Sequence, residues 1–195
     1  MGVKDLPKSS KNPGRKAYLD IETDYVGYHT DQRLFTDYEN HKITVIGIRI
    51  IGKGEDTFIQ LVDRKVTRTN LINALDGVDC LITYNGRSVP DRVKGYTGFD
   101  FPVIAAQLGI VLDRKFLHID LAPLCWEHGL YGGQKKIEVK LGLKRESPDR
   151  DGAWACEAWR KYKKSKNKRY LDQLLRYNHE DVFMLERIER SLRRA

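Results

Sequence analysis

The segment Ile43 to Ile51, Ile-Thr-Val-Ile-Gly-Ile-Arg-Ile-Ile, is so rich in β-branched residues that a pleated strand suits it far better than a helix. Ala17 to Ile21 reads as a shorter buried strand ahead of it, and Thr57 to Val62 follows as a third, so the three form a meander. Beyond Val62 the pattern alternates. A helix is predicted over Asn70 to Leu75, a strand over Cys80 to Tyr84, a helix over Phe101 to Leu108 and a short strand near Phe116 to Ile119. In the last third, Leu171, Leu174, Leu175, Val182, Leu185, Ile188 and Leu192 recur at helical spacing and define one long apolar face. Three adjacent strands followed by strand and helix alternation predict an α/β fold, with a mixed sheet of about five strands flanked by helices and closed by a long C-terminal helix. Residues 1–15 read as a mobile polar lead-in, and residues 16–195 as one domain without internal repeat or linker.

Thirty-five Lys and Arg against 27 Asp and Glu leave a net charge of +8, which suits an anionic partner. Cys80, Cys125 and Cys156 lie far apart with no CxxC spacing, which argues against a zinc site or a disulfide framework and fits reduced thiols in the cytoplasm. The longest apolar stretch, Phe101 to Leu112, is broken by Gln107 and Gly109 and falls short of the roughly 20 residues of a membrane span. No membrane partner is expected. The first residues lack the apolar core of a signal peptide, and Leu6 stands where a myristoylation signal needs Ser or Thr.

Four acids carry the chemistry. In Tyr18-Leu19-Asp20-Ile21-Glu22-Thr23, residues two apart on a strand share a face, so Asp20 and Glu22 point together while Leu19 and Ile21 pack behind them. Two carboxylates on an apolar strand are costly unless a cation offsets their repulsion. Asp37-Tyr38-Glu39 has the same spacing but sits among polar residues, and is read as a solvated decoy. The third acid is Asp100 in Phe99-Asp100-Phe101-Pro102-Val103-Ile104, and the fourth is Asp181 in Tyr177-Asn178-His179-Glu180-Asp181-Val182. Tyr177 and Asp181 are four apart on the final helix and share its face, which brings a phenol beside the acids. Asn178 is read as packing and Glu180 as solvent-facing.

In these motifs the chain resembles the DnaQ-like (DEDD) 3′-to-5′ exonucleases of the ribonuclease H-like superfamily, in particular the YprB-like exonucleases. The likeness covers about residues 16 to 192. It includes Asp20-Ile21-Glu22-Thr23, Tyr84-Asn85-Gly86, Phe99-Asp100 with Pro102, His118-Ile119-Asp120-Leu121, Leu141-Gly142-Leu143 with Lys144-Arg145, and the Tyr177 to Val182 motif. The resemblance implies a ribonuclease H-like fold, metal-carboxylate roles for Asp20, Glu22, Asp100 and Asp181, and the tyrosine subtype through Tyr177; the histidine subtype needs His where this chain has Arg176. Thr23 and Phe99 flank the acids and join the expected substrate contacts. Asn85-Gly86 either approaches the terminal nucleotide, as the resemblance implies, or makes a tight turn after a strand. The chain departs from the pattern at Arg87 to Gly98, an insertion between two motifs that makes Asp91 a rival of Asp100; the apolar helix opened by Phe99, Pro102, Val103 and Ile104 favours Asp100.

An all-oxygen donor set favours Mg²⁺ or Mn²⁺ over zinc, and two ions are expected, with Asp20 bridging, Glu22 and Asp181 completing the first and Asp100 supporting the second. The expected partner is DNA or RNA, taken as single-stranded 3′ ends. The same acids also fit an endonuclease, and a silent nucleic-acid-binding module is the reading from another class. Lys161, Lys163, Lys164, Lys166, Lys168 and Arg169, interleaved with Tyr162 and Tyr170, form the densest basic run; Lys163 and Lys164 are its candidate substrate contacts, against a solvated face as the alternative. His118 and Asp120 read as a satisfied strand end, and Trp126, Trp154 and Trp159 as packing.

Overall fold

The computed structural model describes residues 14–27, 36–87 and 98–194. Among them the strands are β1 (Arg15–Tyr25), β2 (His41–Gly52), β3 (Glu55–Val62), β4 (Val78–Thr83) and β5 (Leu117–Asp120), and the helices are α1 (Arg68–Ala74), α2 (Asp100–Leu108), α3 (Leu121–Glu127), α4 (Gln134–Lys140), α5 (Gly152–Ser165) and α6 (Lys168–Leu192). The lead-in lies outside the described residues as far as residue 13, and β1 begins at Arg15, the last residue of that expected segment.

Strand order is β3-β2-β1-β4-β5. The β1–β2 and β2–β3 pairs are antiparallel, as a meander requires, while β1–β4 and β4–β5 are parallel. The mixed sheet expected from the sequence is thus present. β1 runs on to Tyr25 and β2 starts at His41, beyond the predicted strands, because backbone pairing continues through polar residues, Asp24 opposite Lys42 and Tyr25 opposite His41, which an apolar pattern does not mark. Ala17, Leu19 and Ile21 join Ile46, Ile48, Leu71, Val103 and Ile104 in one core layer. Tyr18, on the other face of β1, packs with Ile82, Leu121, Ile137, Val182, Leu185 and Ile188 in a second layer under α3, α4 and α6. Strand alternation therefore turns Asp20 and Glu22, which share the face of Tyr18, toward α6.

The last third is more helical than its apolar pattern alone specifies. α3 and α4, of 7 residues each, carry too few turns for a legible stripe. Asp151 caps α5 by accepting from Trp154 N at 2.9 Å, and Asn167 caps α6 by accepting from Arg169 N at 3.0 Å. Trp159 is buried beside Val45, Leu174 and Tyr177, which meets the expectation that it packs.

Gly47 decides how closely α6 can lie on the sheet. It pairs with Asp20 across β1 and β2, and a Cβ built on it would stand 2.3 Å from Asn178 Oδ1 and 2.8 Å from Val182 Cγ2. Gly47→Ala should lower stability by about 1–3 kcal/mol through this overpacking, whereas Gly152→Ala, whose Cβ meets nothing within 4 Å, should cost no more than about 0.5 kcal/mol. Urea denaturation of the two variants checks the contrast; equal stability would mean that α6 has room to spare.

Candidate active site

Asp20 and Glu22 reach the site from β1, and Asp181 reaches it from the fourth turn of α6. Carboxylate oxygens of the three lie within 4.8 Å of one another. Glu22 and Asp181 are buried and Asp20 is half-buried. A β-bulge falls directly after Glu22, where the register passes from Glu22↔Val45 to Thr23↔Ile43, and Thr44 Oγ1 donates to Glu22 O at 3.1 Å. Bulges re-aim side chains, and this one sets the direction of Glu22.

Like charges at this spacing repel by roughly 3 kcal/mol per pair at an effective dielectric constant near 20. Burial, then the charge of Asp181, pushes Asp20 well above the usual carboxylate range; burial, then Asp20 and Asp181, does the same for Glu22. Asp181 is raised by burial against the pull of Arg145 and Lys135. Glu22 Oε1 and Asp181 Oδ1 are closed to solvent without a well-formed hydrogen bond, although Arg145 Nη2 lies 2.5 Å from Asp181 Oδ1. Unsatisfied, converging carboxylate oxygens fit a hard divalent cation.

A second ring of side chains holds these acids in place. Asn178, fully buried, donates through Nδ2 to Asp20 Oδ2 at 3.0 Å, and its own Oδ1 accepts from Gln60 Nε2 at 3.0 Å. Gln134 of α4 donates to the backbone O of Asp181 at 3.0 Å and to Glu138 Oε1 at 3.0 Å. Glu138 and Arg145, both closed to solvent, form a two-pronged pair, with Nη2 donating to Oε1 at 2.7 Å and Nε to Oε2. Burial opposes the charge on Arg145, but Glu138 and Asp181 outweigh it, so the guanidinium stays cationic. Lys135 donates to Tyr177 Oη at 2.6 Å and to the carbonyl of Arg150. Tyr177 is buried against Trp154, its ring 5.6 Å away, and burial followed by the nearby acids drives its phenol far above the usual range.

A sequence profile of the RNase H superfamily matches residues 17–193. The chain belongs to the RNase H superfamily. No curated protein and no solved structure matches it. The mixed sheet, flanking helices and long α6 are the RNase H-like α/β fold, and membership in the superfamily implies nuclease-type chemistry on nucleic acid.

Within this RNase H-like frame, Asp100 opens α2 from the other side of the sheet. It is buried and outside the trio, yet close enough that, after burial, the charge of Asp20 is the main cause of its raised pKa. Its helix is fixed to the end of β4, since Phe99 N and Phe101 N donate to the carbonyls of Asn85 and Gly86 at 2.8 Å each. Asn85 has a left-handed φ of 60°, and a Cβ on Gly86 would meet Thr83 Oγ1 at 2.1 Å, so this pair makes a tight turn. Asp120 clamps that turn, accepting from the backbone N of Asn85 at 2.8 Å and of Arg87 at 3.1 Å. His118 is a half-buried strand-end histidine, 2.8 Å from Thr83 Oγ1 through Nε2, with burial of its ring pulling its pKa down to about 4. Thr23 Oγ1 meets His41 Nδ1 at 3.0 Å, and His41 packs edge-on against Phe99 at 4.8 Å, so the two flanking residues share one intermediary.

Other candidates lie apart from the trio. Asp37 accepts from Tyr25 Oη at 2.7 Å and from Asn40, in keeping with its exclusion from the acid set. Lys163 is exposed on α5 and pairs with Asp63 at 3.2 Å, Lys161 pairs with Glu157 at 2.8 Å, and Lys164 is exposed. Of the Arg87 to Gly98 insertion, residues 88 to 97, Asp91 among them, lie outside the described residues. No helix among the described residues is long and apolar enough to cross a membrane. Sequence reasoning missed Lys135, Glu138 and the part played by Asn178, and it gave Arg145 no role. Glu180 also departs from the solvent-facing reading, because its Oε1 accepts from Glu146 N at 2.5 Å.

A carboxyl whose pKa rises on folding stabilises the fold below the ordinary carboxylate pKa, and that contribution is lost as pH climbs through the raised value. Protons and a cation compete for the same oxygens, so Mn²⁺ should stabilise the protein more as pH rises. Near saturation, at about 100 times Kd, the expected gain in Tm is about 5–10 °C at about pH 8 and clearly less at about pH 5.5. Thermal melts with Mn²⁺ or EDTA check this; a gain independent of pH, or retained in an Asp20→Asn/Glu22→Gln variant, would place the cation elsewhere.

Proposed function

We propose that this chain is a metal-dependent 3′-to-5′ exonuclease of the DnaQ-like (DEDD) group, tyrosine type and YprB-like, hydrolysing phosphodiesters of DNA or RNA. The observation that carries the reading is the converging trio of half-buried Asp20 and buried Glu22 and Asp181, with Tyr177 one helical turn from Asp181. Residues 16–195 form the catalytic domain in this reading. Asp20, Glu22 and Asp181 would hold one Mg²⁺ or Mn²⁺, and Asp20 with Asp100 a second. Such a cation, when bound, neutralises charge on the phosphoryl group and acidifies water.

The chain's own groups divide the remaining work. Tyr177 stays protonated at neutral pH and is no base. Its oxygen accepts from Lys135 and its proton has the Asp181 carboxylate as a partner, which holds the phenol beside the acids, where it can orient a water. Lys135 and Arg145 offset the carboxylate charge before substrate arrives and limit the electrostatic cost of bringing in a phosphate. Asn178 fixes the carboxylate plane of Asp20. Thr23, Phe99 and the Asn85-Gly86 turn take the terminal nucleotide.

Incubation of 5′-labelled single-stranded DNA and RNA with Mn²⁺, Mg²⁺ or EDTA checks the proposal. A metal-dependent ladder of shortening products, lost in Asp20→Asn and in Asp181→Asn, is the expected outcome. Asn178→Ala should retain the ladder but run about 10–100-fold slower, as removal of a partner behind a metal ligand does. Cleavage of a circular strand would make the chain an endonuclease instead, and binding without cleavage at saturating Mn²⁺ would make it a binding module.

A further inference from the structure

On the far side of α6 from the core, an open groove of about 800 Å³ runs between β3 and the segment that follows α4. Four cations line it: Lys144 and Arg150 from that segment, Arg176 and Arg187 from α6. None of the four makes an ion pair with an acidic side chain among the described residues, whereas Lys161 and Lys163 of the basic run are paired. Glu146 and Glu180 are the acids of the groove, and Glu180 is tied to the backbone N of Glu146. The floor is aromatic. His179 stacks on Phe183 at 4.0 Å, Phe58 meets His179 edge-on at 4.7 Å, and Arg49 caps Phe183 at 4.0 Å. His179 is the exposed ring of this set.

Unpaired cations beside an accessible aromatic ring match the chemistry of a single nucleic-acid strand, with phosphates for the cations and a base for the ring. The groove also reaches the catalytic centre through the backbone. Arg145 contacts Asp181 while its neighbour Lys144 lines the groove, and the carbonyl of Arg150 accepts from the Lys135 ammonium that holds Tyr177. The guanidinium of Arg150 lies 4.3 Å over Trp154, whose ring packs on Tyr177.

We propose that this groove is a second binding site for single-stranded nucleic acid, holding a stretch of strand outside the catalytic centre. This rests on the nuclease reading above for the identity of the polymer. Strand in the groove neutralises Lys144, Arg150, Arg176 and Arg187 and stacks a base on His179. Affinity for longer strands then resides here, separate from the acids.

Fluorescence anisotropy of 5′-fluorescein homopyrimidine strands, DNA and RNA, in EDTA tests it. Arg176→Gln/Arg187→Gln, both exposed, should weaken binding about tenfold near 0.1 M salt and make the plot of log affinity against log salt shallower by about 1.4, about 0.7 per lost phosphate contact. His179→Ala should weaken binding without altering that slope. The proposal is overturned if the wild type binds neither strand, or if Lys163→Gln/Lys164→Gln abolishes binding while the groove variants do not. Cleavage with Mn²⁺ on the same strands separates the two readings. Cleavage by the wild type together with unchanged binding by the groove variants overturns the groove alone. Groove-dependent binding with no cleavage supports the groove and overturns the exonuclease.

Discussion

Three carboxylates within 4.8 Å of one another repel, and burial removes the water that would screen them. Hydrophobic packing cannot meet that cost, because the acids sit beside the core and not within it. Cations and donors drawn from distant parts of the chain meet it: Arg145 at Asp181, Asn178 at Asp20, and Lys135 beside Tyr177. The rest of the layout follows from bringing these groups together. α6 must lie close enough for Asn178 to reach β1, which demands a residue without a side chain at Gly47. α4 must dock on α6 so that Gln134 can hold the Asp181 backbone, and the buried Glu138–Arg145 pair fixes the turn after α4. Removing one member of a buried pair leaves an uncompensated charge, so this corner of the fold has little tolerance for substitution.

The RNase H-like frame places this arrangement where sheet topology favours a site. β1, β4 and β5 run parallel, and the acids of β1, the Asn85-Gly86 turn and the Asp120 clamp gather toward their carboxyl ends. In open α/β sheets that edge is where ligands bind, since strand ends and helix starts present side chains together there. The three polar relays differ in purpose. Asp120 and His118 satisfy the backbone and core, Thr23 and His41 join β1 to the start of α2, and only the group around Asp181 leaves carboxylate oxygens unsatisfied.

Much of this was legible from spacing. Period-two alternation located Asp20 and Glu22 on one face, and the i, i+4 relation located Tyr177 beside Asp181, because both depend on local geometry alone. The strands were legible because β-branched residues crowd Ile43 to Ile51. What sequence could not give was long-range partnership. Lys135 and Arg145 sit in a stretch dense in Lys and Arg, where nothing local separates a buried cation from a solvated one. Glu138, between Ile137 and Val139, carries no local mark of burial, because its partner Arg145 lies seven residues on, past the end of α4. Asn178 in mid-helix looked like packing because its two partners, Asp20 and Gln60, lie on strands more than 100 residues earlier. The densest basic run drew attention by composition, yet two of its lysines are neutralised, while the unpaired cations of the groove are scattered over Lys144 to Arg187.

Paramagnetic broadening by Mn²⁺ tests whether the carboxylates of β1 and α6 together hold a divalent cation. In a ¹⁵N-resolved NMR titration at substoichiometric Mn²⁺, the amides of residues 20–22, of Gly47 across the sheet and of residues 177–182 on α6 should broaden first, and Mg²⁺ should reverse the effect by competition. Broadening that begins elsewhere, or that persists unchanged in Asp181→Asn, would contradict a cation held there.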